Sequence, residues 1–136
     1  MLQITTSRFT ARFITLVLKG NGMPRKQEDR HILFLSALLG LESGREYTET
    51  QLNEQLRQWS DQFGDNVGLD HVSLRRSLVD EHFLARDAAG KGYTFRKENL
   101  PYTLDSAIWS LNLTEVIDHA KMEIEERKRL HQKDGK

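Results

Sequence analysis

Apolar residues recur at helical spacing over residues 27–41 (QEDRHILFLSALLGL), where Ile32, Leu35, Leu38 and Leu39 form an i, i+3, i+4 stripe. Phe34 and Leu41 widen the stripe, which predicts a largely buried helix. Glu28 and Asp29 suit its N-terminus through the helix dipole, and Gly40 and Gly44 break it. A second helix is predicted over 47–62, with Leu52, Leu56, Trp59 and Phe63 at helical spacing and Thr48 and Gln51 placed as a capping box. A third is predicted over 70–82 with Asp70 as its N-cap. Alternating residues from Leu84 to Asp87 and from Tyr93 to Arg96 flank the turn Ala88-Ala89-Gly90-Lys91-Gly92 and read as a β-hairpin. Beyond Pro101-Tyr102, Thr103 is the expected cap of a helix over 104–111. Thr114 is the expected cap of a longer one, 115–132, edged by Val116, Ile117, Ala120, Ile124 and Leu130. Lys133–Lys136 reads as a disordered tail.

Helix, helix, helix, hairpin is the order of a winged helix-turn-helix. The expected fold is therefore mainly α with a small β-hairpin: a winged helix-turn-helix domain over 23–99, followed by a helical tail over 100–136. Residues 1–22 form an N-terminal extension that is basic and rich in Thr and Phe. Three readings of it stay open: an element packed on the domain, a targeting segment, or translation from a start codon upstream of a native start at Met23.

Arg45-Glu46-Tyr47-Thr48-Glu49, Leu52-Asn53-Glu54-Gln55-Leu56, Leu74-Arg75-Arg76-Ser77-Leu78-Val79-Asp80, Phe83-Leu84-Ala85-Arg86 and Gly92-Tyr93 occur in that order. This ordered set resembles an uncharacterised bacterial family, domain of unknown function 2087, over residues 24–96. Members of that family occur alone or fused behind ArsR-type winged-helix regulators. The resemblance implies a link with transcription regulation and carries no established catalytic or binding residues.

Composition then narrows the function. The 136 residues hold no Cys, which excludes a disulfide scaffold, a Cys nucleophile and Cys-ligated metal. No apolar run approaches the ~20 residues of a membrane span, and a cytoplasmic protein is expected. Formal net charge is zero, yet it is unevenly spread. Residues 1–30 carry a net +4 and residues 70–97 a net +2, against −4 over residues 42–66. A field able to attract an anionic partner would come from the first and third blocks.

On a helical wheel of the third helix, Leu74, Leu78, Val79 and Val72 define the buried arc, with His71 and Arg75 inside it. Ser73, Arg76, Ser77 and Asp80 face outward. Ser73, Arg76, Ser77 and Lys91 at the wing tip are the candidate DNA contacts, and Arg25, Lys26, Arg86, Arg96 and Lys97 are candidate phosphate contacts. Arg75 is expected in a structural ion pair with Glu49, because a guanidinium on an apolar face needs a partner. For Arg76 the competing reading is an i,i+4 pair with Asp80. His31 and His82 read as packing or surface residues. His119 and His131 fail metal-site spacing, and no catalytic motif is present, so no metal, cofactor or enzymatic activity is expected. The expected function is a DNA-binding transcription regulator acting on double-stranded DNA as a homodimer through its C-terminal helix. The alternative is a protein–protein interaction module with a winged-helix fold and no DNA binding, favoured by the acidic second helix.

Overall fold

In the computed structural model, which describes residues 2–134, β1 (Leu2–Ile4) leads into α1 (Thr6–Lys19), capped by the Thr5 hydroxyl accepting from the Arg8 backbone N–H at 3.2 Å. The first 22 residues are thus a strand and a helix. Phe9, Phe13, Leu16 and Val17 on one face of α1 are buried in the same core as the rest of the chain. α2 (Gln27–Leu38) follows, and every side chain from His31 to Leu38 is buried. A helix buried on all faces lies at the centre of its fold. It ends three residues before the expected position, because the chain turns at Leu39.

Next come β2 (Glu46–Thr48) and α3 (Glu49–Phe63), the latter opened by the predicted capping box: the Gln51 backbone N–H donates to the Thr48 hydroxyl at 3.1 Å and the Gln51 side chain accepts from Thr48 N–H at 3.0 Å. α4 (His71–Asp80) is capped by Asp70, which accepts from Ser73 N–H at 2.8 Å. This bond holds the Asp70 carboxyl below its ordinary pKa. β3 (Ala85–Arg86) and β4 (Gly92–Thr94) form the predicted hairpin. β2 adds a third antiparallel strand in the order β2-β4-β3, with Tyr47 opposite Tyr93. The sequence reading placed Tyr47 in a helix. Pairing with a partner 46 positions away in the chain makes it a strand instead, and no local signal carries that contact.

The chain after residue 100 departs most from expectation. Tyr102–Leu104 is a strand, β5, running parallel to β1 with Gln3 opposite Thr103, so Thr103 does not cap a helix. Residues 106–110 make only a short 3-10 turn in place of the helix expected over 104–111. α5 (Leu113–Asp134) is opened by Asn112 rather than Thr114: the Asn112 side-chain oxygen accepts from Glu115 N–H at 3.1 Å. The helix continues through Asp134, and the remainder of the expected tail, Gly135-Lys136, lies outside the described residues.

The molecule is mainly α with a small antiparallel sheet. One hydrophobic core joins Ile4, Phe9 and Phe13 of the first segment to Ile32, Leu52 and Leu74 of the second and Tyr102, Ile108 and Ile117 of the third. No helix is long and apolar enough to cross a membrane, among the described residues.

Candidate nucleic-acid interface

Leu74 and Leu78 are fully buried, which fixes the rotation of α4. Ser73, Arg76 and Asp80 are thereby exposed, whereas Ser77 is half-buried. Arg75 turns toward α3, where it donates to Asn53 Oδ1 and lies 3.4 Å from Glu49 Oε1. Asn53 is a partner that the wheel could not supply, because it reports nothing about the neighbouring helix.

A cleft of about 260 Å³ opens between α4, the start of α3 and the hairpin. Its walls are Glu49, Arg75, Arg76, Val79, Asp80, Arg86 and Tyr93. Arg86 crosses from the hairpin, with its guanidinium carbon 5.8 Å from the centre of the Tyr93 ring. Gly90, at φ 70°, permits this: a Cβ there would lie 2.9 Å from a guanidinium nitrogen of Arg86. Neither Arg76 nor Arg86 has an ion pair among the described residues, so the i,i+4 pairing of Arg76 with Asp80 is not formed. Lys91 stands at the hairpin tip, its backbone N–H bound to Asp87 Oδ1 at 2.8 Å and its side chain exposed.

The other candidates lie elsewhere. Lys97 donates its backbone N–H to the Ser43 hydroxyl at 3.0 Å, and its ammonium lies 4.6 Å from the Trp109 ring centre. Arg96 is exposed beside Gly44. Arg25 and Lys26 are exposed before α2, with no side-chain hydrogen bond or ion pair among the described residues. The structure thus brings Arg75, Arg76 and Arg86 into one place and leaves Arg25, Lys26, Arg96 and Lys97 outside it.

A polar cluster that sequence reasoning missed lies directly behind α4. His31 is buried, packed edge-on against Phe83, with its Nδ1 2.6 Å from the Tyr102 hydroxyl and its Nε2 3.0 Å from Glu81 Oε1. Arg30 donates to the same carboxylate oxygen at 2.6 Å. Tyr102 of β5 and Glu81 at the end of α4 therefore meet on one imidazole of α2. The signal for it was His31 itself: a polar ring inside the run Ile32–Leu38, on a helix buried all round, needs partners.

Burial pushes the Glu81 carboxyl up, but the bonds from His31 and Arg30 outweigh it and hold the group below the ordinary carboxylate range. A lowered native pKa means stability that is present above the unfolded pKa and lost as pH falls through the folded one. Glu81→Gln is therefore expected to cost about 1–2 kcal/mol at neutral pH, and the deficit relative to the natural chain should shrink below about pH 4. Urea unfolding of both proteins at pH 7 and pH 3.5 checks this; an equal deficit at both would refute it.

A family model described as an uncharacterized protein conserved in bacteria (DUF2087) matches residues 21–95. No curated protein and no solved structure matches the chain.

Proposed function

The chain belongs to this bacterial family, DUF2087, and from that premise we propose that it is a DNA-binding regulator whose residues 27–95 form a winged helix-turn-helix. The order α2, β2, α3, α4, β3, β4 with sheet order β2-β4-β3 supports that fold. One observation carries the DNA reading: Arg76 on α4 and Arg86 on the hairpin present unpaired guanidiniums from two walls of one cleft, between the helix that would enter the major groove and the wing. Ser73 and Lys91, exposed on either side, are the further contacts. Two copies would pair through α5, where Met122 and Leu130 are exposed, and so read two half-sites.

The test is a selection. The full chain is incubated with sheared genomic DNA of a bacterium that carries the gene, and retained fragments are sequenced. Enrichment of a shared site, lost steeply as salt rises, is the expected result. Folded protein that retains nothing at low salt overturns the reading. The second reading is a protein-interaction module, favoured by Glu49 and Asp80 in the same cleft and by exposed Glu54 and Asp61 on α3. It predicts capture of a basic protein partner in place of DNA.

A further inference from the structure

The cleft carries a charge balance that bears on its ligand. Three guanidiniums face two carboxylates there, and Arg75 is already held by Glu49 and Asn53. What remains for a ligand is Arg76 and Arg86 against Asp80, a single positive charge in excess. A phosphodiester carries one negative charge, whereas a terminal phosphate carries nearly two at neutral pH. Two guanidinium forks lining one cleft, from a helix and a hairpin, suit a tetrahedral anion with two free oxygens.

Arg86 lines the cleft from the hairpin. It lies against the Tyr93 ring and occupies the space that a side chain at position 90 would fill. Its side chain is exposed, and the ring gives its guanidinium one packed face. Arg76 lines the same recess as Val79 and Asp80, one turn along the same helix. A base reader instead projects free of its own protein, into the groove.

We infer that this cleft seats one backbone phosphodiester, with Arg76 and Arg86 as its two clamps, and that Arg76 sets the position of α4 on the duplex instead of reading a base. The inference rests on the DNA reading above and narrows the sequence expectation for Arg76, a DNA contact, to a backbone phosphate. Sequence readout then falls to Ser73 and Lys91, which lie outside the cleft.

Two measurements test it. In the first, binding of the full chain to an A·T-rich and a G·C-rich duplex is followed against salt, with Arg76→Ala, Arg86→Ala and Arg76→Lys beside the natural sequence; thermal melting confirms that each variant folds. Each alanine should lower the slope of log K against log salt by about 1, and weaken both duplexes by the same factor, about tenfold at low salt. Arg76→Lys should keep the slope and lose part of the affinity, since it keeps the charge and loses the fork. A change in preference between the duplexes with Arg76→Ala, at unchanged slope, overturns the inference, as does no effect of either alanine.

In the second, arginine Nε–H resonances are titrated with dimethyl phosphate, with acetate and a phosphate monoester as comparisons. Selective shifts of Arg76 and Arg86 with the diester are expected, and their absence overturns the site. If the diester shifts them while no duplex binds, the phosphodiester site stands and the DNA reading falls. If duplexes bind with unchanged slopes in the alanine variants, the DNA reading stands and the phosphodiester site falls.

Discussion

A chain lacking residues 1–22 should not fold cooperatively. Phe9 and Phe13 have no exposed surface, Ile4 is buried, and Leu16 and Val17 are nearly so. Phe13 sets its ring edge-on against Phe63 of α3 at 5.3 Å, so its loss also uncovers the far end of that helix. Removing one buried Phe side chain typically costs about 3–5 kcal/mol, and whole domains hold only about 5–15 kcal/mol. Two such residues already approach the total. The polar losses add to this. Arg12 grips Asp29 with two bonds of 3.0 Å, and the segment supplies the Thr6 backbone N–H to Asp105 at 2.8 Å. Asp29 would lose the guanidinium that neutralises it. Circular dichroism against temperature should show a sharp transition for the full chain and none for residues 23–136. A truncated chain melting within a few degrees of the full one would refute this. Phe13→Ala in the full chain gives a graded version, with an expected loss of about 3–5 kcal/mol in urea unfolding.

His31→Leu should lower stability by about 2–3 kcal/mol although it conserves bulk, because it strands polar groups rather than opening space. The Glu81 carboxylate only accepts hydrogen bonds, which puts the ring proton on Nε2 and leaves Nδ1 as acceptor for the Tyr102 hydroxyl. With leucine in place, that hydroxyl is buried with no acceptor, and Glu81 keeps Arg30 alone. Burial, then the carboxylates Glu28 and Glu81, raise the Tyr102 pKa, so the phenol cannot escape by ionising at neutral pH. Tyr102→Phe alone should cost about 1–2 kcal/mol. In the double variant His31→Leu, Tyr102→Phe, neither polar group is left alone, and part of the loss should be recovered, a coupling of about 1–2 kcal/mol. Urea unfolding of the four proteins measures it. Strict additivity would show that the two side chains do not act on each other.

The cluster also holds the C-terminal segment to the end of α4. Glu81 follows Asp80, a wall of the cleft, and Tyr102 lies on the strand that pairs with β1. The position of α4 thus depends on residues at both ends of the chain, and neither end reads as part of a helix-turn-helix.

The helices of the central region were legible because their information is local. Leucines at positions 74 and 78, Asp70 ahead of them, and Thr48 with Gln51 specify helix faces and starts within four residues of themselves. The hairpin was legible for the same reason, through Gly90, Gly92 and the alternation beside them. The candidate residues were half legible. A wheel shows that Arg76 faces out and Arg75 does not, but Arg86 enters the same cleft from an element ten residues on. Arg96 and Lys97, indistinguishable from Arg86 by composition, are led away by Gly44, Ser43 and Trp109.

The sequence by itself determined that this is a mainly helical chain with a β-hairpin, the rotation of α4, and membership of a bacterial family whose motifs span its centre. Only the tertiary structure decided that β1 pairs with β5 across about a hundred residues, that Tyr47 belongs to a sheet, that His31 has two partners, and that two arginines share one cleft. The division has a physical cause. Caps and amphipathic periods gain their free energy from neighbours in the chain, whereas strand pairing, buried polar bonds and charge clusters gain theirs from neighbours in space.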